Sequence, residues 1–447
     1  MAMISFFDRL QSLKQRHPRL WLLARHPGIF VERMFYRVAL LPFWRRQKPG
    51  STAENPHLVQ RAEEYNAAAE RYFADFPDRQ FLLDKPFSDA EGFPDHLIRA
   101  GTLMAAGRIR PGDTVVEIGA GTCWLSHFLN RYGCRTVAVD VSRTALDLGR
   151  QLFEREPSTD WSLEPRFVEY DGCTLPLEDA VCDCVVVYDA FHHIPNQRVL
   201  LAEMRRILRP RGMVVMSEPG IGHADEPASI AERETGVLEN ELVVADMAAL
   251  AAAVGFHDTT LVVATPYYQH EIPANKLGAF AGGSGFRHYW THFSQHLMAH
   301  HYILIYKGAN TPTTDRPGNA KLRATIGIDD PADSHGRWTA GNPGRATVSV
   351  ENRGEAVWLH AEGRGWTRLG GHLYVVKNGA RELVDNDWLR AGLERDLKPE
   401  DRVVVKIDTP AIDCPGTYEV EFDIVLENVT WFARRGSPTA TLNITVE

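Results

Sequence analysis

The chain has 447 residues, of which 44% are hydrophobic and 24% charged, with a formal net charge of −9. That length predicts two or three domains, and the acidic balance argues against a general nucleic-acid surface, which needs clustered Lys and Arg. The six cysteines lack zinc-ligand spacing and no metal site is expected. Cys182 and Cys184, two apart on a predicted strand, are expected to share one buried face and stay reduced, as thiols do in the cytosol.

Residues 1–52 read as a basic helical arm. Arg9, Lys14, Arg16, Arg19 and further cations up to Lys48 are balanced only by Asp8 and Glu32, and Phe6, Trp21, Phe35 and Trp44 are among the apolar residues between them. Pro18, Pro27 and Pro42 cut the stretch into short helices. No apolar run is long enough for a bilayer span, and Arg or Lys interrupts each run that a secretory leader would need. Basic amphipathic helices of this kind lie in the headgroup plane of an anionic membrane. Packing on the chain's own domain, or on a second subunit, is the alternative.

From 53 to 308 the pattern is α/β. Residues 53–75 predict a helix, 81–87 a loop, and Leu97–Ala106 the helix before a first strand. Val115-Val116-Glu117-Ile118 is the short β-branched run of a buried parallel strand. Gly119 and Gly121 follow, and without a Cβ they let the backbone turn and approach a ligand. Trp124–Arg131 then predicts a helix, so the loop joins a strand end to a helix N-terminus, the binding position of open α/β sheets. A dinucleotide fingerprint would need a third glycine where Trp124 stands. Further strands end in acids: Thr136–Asp140, Arg166–Asp171 with Gly172 next, and Cys182–Asp189, which runs into Ala190-Phe191-His192-His193. Helix Arg198–Leu208, a Pro210-Arg211-Gly212 turn and strand Met213–Glu218 come after.

These residues resemble the class I S-adenosylmethionine-dependent methyltransferases. Glu117-x-Gly119-x-Gly121 matches the family's first motif, and the acids at successive strand ends occur in its order. The family more often has Pro-Gly-Gly at the 210–212 turn; Arg211 departs from this and Gly212 does not. The resemblance implies a Rossmann-like seven-stranded domain, with S-adenosylmethionine as cofactor and S-adenosylhomocysteine as product. It implies cofactor contacts from Glu117, Gly119, Ala120, Gly121, Asp140, Val141, Asp171, Gly172, Asp189 and Ala190, with Asp140 on the ribose hydroxyls and Asp171 on the adenine amine. It also implies that the segment leading into the sheet lies over the cofactor as a lid. His192 and His193 fall at the methionine end and are the candidate general bases, histidine having an unperturbed pKa of ~6.5. His223 and Glu218 are the next candidates, and the other reading of the His pair is that one ring only supports the loop.

The segments Glu218-Pro219-Gly220…His223 and Gly236-Val237-Leu238-Glu239 look similar to a subgroup of the family linked to bacterial surface-glycan assembly. A helix over Val243–Val254 and strands at Thr259–Ala264 and Tyr302–Tyr306 are predicted to complete the unit. Between those strands His288, His292, His296 and His300 recur every four residues, which on a helix is one stripe. No acid accompanies them, so the expectation is a polar face at the acceptor pocket or in solvent, not a metal site.

Residues 309–319 are turn-rich and predict a linker. Short alternating runs then follow, among them Leu322–Ile328, Ala346–Glu351, Ala356–His360, His372–Lys377, Arg402–Ile407, Gly416–Leu426 and Ala440–Val446. They predict that 320–447 is an all-β, immunoglobulin-like sandwich. Its Pro415-Gly-Thr-Tyr418…Trp431-Phe432…Gly436-Ser437 pattern resembles the sandwich of bacterial O-antigen export and modification proteins, which implies glycan binding. Trp338, Trp358, Trp366, Trp388 and Trp431 are either sugar platforms or core.

The expected activity is O-methylation of a sugar hydroxyl on a bacterial surface polysaccharide or its lipid-linked precursor. The expected location is the cytoplasm, peripheral to the inner membrane face through residues 1–48, with a homo-oligomer left open and no nucleic-acid partner. Two alternatives stand beside it: a small-molecule methyltransferase whose sandwich serves oligomerisation, and a non-catalytic glycan-binding scaffold that senses cofactor.

Overall fold

The computed structural model describes residues 61–90, 92–220, 222–264, 274–276, 278, 297, 299–309, 311–315, 317, 320–328, 335–363 and 365–447. The arm 1–52 and His288, His292 and His296 lie outside the described residues. The chain divides into two units, Met1–Asn310 and Thr311–Glu447.

In the first unit α1 (Ala62–Ala74), α2 (Arg79–Leu83) and α3 (Phe93–Ala106) precede the sheet. Strands and helices then alternate: β1 (Thr114–Ile118), α4 (Trp124–Arg131), β2 (Arg135–Asp140), α5 (Arg143–Arg155), β3 (Arg166–Glu169), β4 (Cys182–Tyr188), α6 (Gln197–Ile207) and β5 (Leu208–Pro219). Helices α7 (Pro227–Glu234) and α8 (Val244–Ala253) and strands β6 (Asp258–Val262) and β7 (His300–Tyr306) complete the unit. The seven strands lie in the order β3-β2-β1-β4-β5-β7-β6, with only β7 antiparallel to its neighbours.

Strand alternation supplies both faces of this sheet with apolar side chains. Val116, Val185 and Val187 meet Leu200, Met204 and Met247 of α6 and α8 on one side. Val115, Val186 and Val215 meet Leu103, Leu125 and Leu129 of α3 and α4 on the other. Each such buried aliphatic chain contributes about 1.5–3 kcal/mol. Helix α5 starts where it does because the Ser142 hydroxyl accepts the Ala145 N–H as an N-cap. The strand order turns back between β1 and β4, which opens a crevice at their carboxyl ends.

Two sequence expectations need correction here. Cys182 and Cys184 are buried free thiols but pack in opposite cores, because the register of β4 with β5 slips between them. His300 does not continue a helical stripe: it begins β7 and pairs with Pro219 of β5.

The second unit holds β8 (Ala324–Ile328), β9 (His335–Trp338), β10 (Pro343–Asn352), β11 (Thr367–Lys377), β12 (Ala380–Gly392), β13 (Arg402–Ala411), β14 (Gly416–Leu426), β15 (Thr430–Trp431) and β16 (Ala440–Val446). A sheet β13-β10-β8 and a sheet β12-β11-β14-β16-β9, with β15 on β14, share one apolar core. Trp358 is fully buried there, edge-on to Phe432. Trp431 is also buried, under the Arg390 guanidinium at 4.4 Å. Those two rings are core, whereas Trp338, Trp366 and Trp388 are half-buried. Part of the expected linker joins this unit: Thr314 is buried, its N–H donates to Val357 O and its hydroxyl to Gly365 O. The predicted strand Ala356–His360 makes only isolated bridges. Strand β12 was not predicted; it forms a margin of the larger sheet, exposed from Ala380 to Asp387.

Candidate active site

A cavity of about 540 Å³ opens at the crevice, within the range of small-molecule sites. Glu117, Gly119, Ala120, Gly121, Asp140, Val141, Asp189, Ala190, His192, His193 and His223 all line it. Gly119 has φ +69°, and a Cβ there would meet the Ala190 Cβ at 2.4 Å, so β1 and β4 approach through this residue. Asp140 accepts Gly121 N–H and Ser142 N–H, each at 2.8 Å, and so locks the glycine loop to the end of β2. Burial raises its pKa, and those amides partly offset the rise. Glu117 is raised to about 8 by burial, with the Ser126 hydroxyl donating to it.

The structure does not bring every expected residue to the cavity. Asp171 and Gly172 are outside its wall. The Asp171 carboxylate instead accepts the N–H groups of Cys173 and Thr174, while its carbonyl accepts Asn66 Nδ2. A Cβ on Gly172 would collide with the Asn66 amide at 2.4 Å.

Several lining residues had no signal in the sequence. Tyr65, Asn66, Tyr72 and Phe73 of α1 form one wall. The helix is tied down by Glu70, which accepts from the Ser142 and Thr144 hydroxyls at 2.6 and 2.5 Å. Arg99 of α3 donates to the Asp189 carboxylate and stands 4.5 Å over the Tyr188 ring. Burial alone would raise the Asp189 carboxyl; the Arg99 charge holds it below its usual range. The hydrophobic pattern of α1 and α3 marks them as helices, but only the fold decides which polar residues reach the crevice.

Opposite the glycine loop lies a buried cluster of histidines and carboxylates. Glu218, fully buried, accepts the N–H groups of Ala190, Phe191 and His192 and pairs with His192 Nδ1 at 2.8 Å. It therefore shapes the turn and orients one ring rather than lining the cavity. Nδ1 of His193 donates to Leu238 O at 2.6 Å and lies 3.1 Å from Glu239 Oε1; His223 Nε2 lies 3.1 Å from Glu239 Oε2. Burial opposes charge on His193, yet Glu239 raises its pKa to about 9. Glu239 closes the Gly236–Glu239 segment, but the sequence marks neither it nor Glu232 as a site residue, since the histidines they meet come from other segments.

Residues 116–216, from β1 to β5, match the family model described as a methyltransferase domain. This chain carries a class I S-adenosylmethionine-dependent methyltransferase domain. Over 124 residues the chain is 29% identical to a demethylmenaquinone methyltransferase of Clavibacter sepedonicus, covering 28% of this chain and 48% of that protein. Over 113 residues it is 28% identical to a sarcosine/dimethylglycine N-methyltransferase of Halorhodospira halochloris, covering 25% and 39%. An S-adenosylmethionine-dependent methyltransferase structure from Mesorhizobium loti aligns at TM-score 0.35 and 17% identity, over 48% of this chain and 99% of that one. The chain spans about half the length of the curated relatives it matches. The matched part of the methyltransferase domain contains the glycine loop, Asp140, Asp189 and the His192-His193 pair, whereas α1, His223 and Glu239 lie beyond it.

Proposed function

We propose that this chain is an enzyme that transfers the methyl group of S-adenosylmethionine to a sugar hydroxyl of a bacterial surface glycan or its lipid-linked precursor. The observation that carries methyl transfer is the pairing of the Gly119–Gly121 cradle and Asp140 with a buried His/Glu wall across one 540 Å³ cavity. The residues suit a sulfonium nucleoside. Gly119 leaves no side chain at the closest approach, and each Asp140 oxygen accepts one amide while keeping a second lone pair for a ribose hydroxyl. In this reading Tyr65, Asn66 and Phe73 cover the nucleoside, and Asp171 stays a loop anchor.

When bound, S-adenosylmethionine supplies an electrophilic methyl group. The protein's task is to align an acceptor oxygen with it, excluding water and replacing lost entropy with binding. Glu218 occupies Nδ1 of His192 and leaves Nε2 as that ring's second nitrogen, which makes His192 the ring of the pair we assign to act on the acceptor's proton. The glycan assignment draws on the resemblance of the second unit to O-antigen recognition sandwiches, in which Trp366, half-buried while Trp338 and Trp388 pack on the core, is the ring left for sugar contact. The arm 1–48 would hold the enzyme at an anionic membrane surface. No helix among the described residues is long and apolar enough to cross a membrane.

A small-molecule acceptor is the second reading, favoured by the relatives named for demethylmenaquinone and sarcosine/dimethylglycine methylation. Labelled cofactor incubated with surface-glycan extract, sarcosine or a quinone precursor separates the two by where the label goes. Calorimetry tests the cofactor site: Asp140→Ala should weaken S-adenosylhomocysteine binding about tenfold or more, and unchanged affinity would refute the cradle.

A further inference from the structure

His192, His223 and Glu239 arrive from three separate segments: the turn after β4, the turn 223–225 after β5, and the chain beyond α7. Their ligand atoms lie within 4.8 Å of one another. Glu239 Oε2 is 3.1 Å from His223 Nε2 and 3.8 Å from His192 Nε2. Two ligands held about 2.1 Å from one ion at a tetrahedral angle stand ~3.4 Å apart, so these separations bracket a metal geometry. The Glu239 side chain is wholly buried, yet neither oxygen receives a hydrogen bond of acceptable geometry. The neighbouring ring nitrogens come to ion-pair distance but off the hydrogen-bond line. The His193 and His223 rings balance its charge, each 3.1 Å away, so a cation here would take the place of their protons, and Glu232 adds a further carboxylate to the cluster.

The surroundings of His192 complete the argument. Its Nδ1 faces Glu218 at 2.8 Å, which fixes the tautomer and leaves the Nε2 lone pair toward Glu239. Such a carboxylate–histidine relay is the usual outer support of a metal-bound imidazole. Two imidazoles and one carboxylate with an open side suit a divalent transition metal rather than magnesium, which favours all-oxygen shells.

We propose that His192 Nε2, His223 Nε2 and the Glu239 carboxylate bind one divalent transition-metal cation, with zinc as its probe, at the acceptor end of the cavity. The site does not depend on the methyl-transfer reading. Its role does rest on that reading: the ion would hold the acceptor oxygen and help it lose its proton, making His192 a ligand instead of a base. Such a site would depart from the sequence expectation of no metal, because the three ligands share no local spacing.

Calorimetric titration of the metal-stripped full chain with zinc chloride, without methyl donor, tests the site. One zinc per chain should bind, and His223→Ala and Glu239→Gln should each weaken that binding at least tenfold while S-adenosylhomocysteine still binds. Absence of zinc binding overturns the proposal. So does zinc affinity unchanged in both variants, which would move the ion elsewhere, for example to His288, His292 and His296. If one variant fails to fold, the other decides. Loss of cofactor binding in Asp140→Ala is a separate result, and its failure leaves the zinc titration standing.

Discussion

Glu117 illustrates how burial changes a motif acid. Its carboxyl lies in the cavity floor, and desolvation moves its pKa to about 8, against ~4.3 for an unfolded glutamate. Between those values the folded chain holds a proton that the unfolded chain has lost. Its contribution to stability is therefore complete below ~4.3 and disappears as pH rises through about 8. The effect is on the order of a few kcal/mol. Thermal unfolding of the cofactor-free protein should show a melting temperature that falls from pH 5 to 8.5, with a shallower fall in Glu117→Gln; equal slopes would contradict the assignment. Gly119, Gly121 and Asp140 were legible in the sequence because a tight turn at a strand end restricts residue type locally. Glu239, Arg99 and Asn66 were not, since each acquires its role from partners far away in the chain. Asp171 stands at the expected strand end, and the two loop amides on its Oδ1 are partners that the strand pattern does not show.

Helix α1 is joined to the rest of the methyltransferase domain by Glu70, whose carboxylate meets the first turn of α5 through Ser142 and Thr144. That turn begins two residues after Asp140, so the helix over the cavity and the acid in its wall are anchored to one piece of backbone. Glu70 is partly exposed, so its bonds are worth less than the ~1.5–3 kcal/mol of a fully buried charged bond; we take about 1 kcal/mol. Glu70→Ala should then speed S-adenosylhomocysteine release about fivefold, read by stopped-flow fluorescence. An unchanged off-rate would mean that α1 is not a lid. The alternating strands and helices of the first unit were visible because apolar periods of two and near four take turns along the chain. Strand β12 was hidden, since Arg381 to Asp387 faces solvent on both sides and shows no alternation. The segment Ala356–His360 alternates well, yet its backbone is shared between single bridges to Thr313, Leu397 and Trp366.

At the scale of the whole molecule, the two units have separate apolar cores. Scanning calorimetry should resolve two transitions. S-adenosylhomocysteine at about one hundred times its dissociation constant should stabilise only the first unit, by ~2.7 kcal/mol. A single transition that moves as one would refute independent folding. The margin strand β12 has its own bearing on how copies of this chain meet. Among the described residues it pairs with β11 alone, and such a rim invites another backbone. Arg381, Glu382, Asp385 and Asp387 surround the exposed Leu383 and Val384. An intruding strand would have to strip water from those charges, so the sheet stops growing at this rim instead of seeding a fibril.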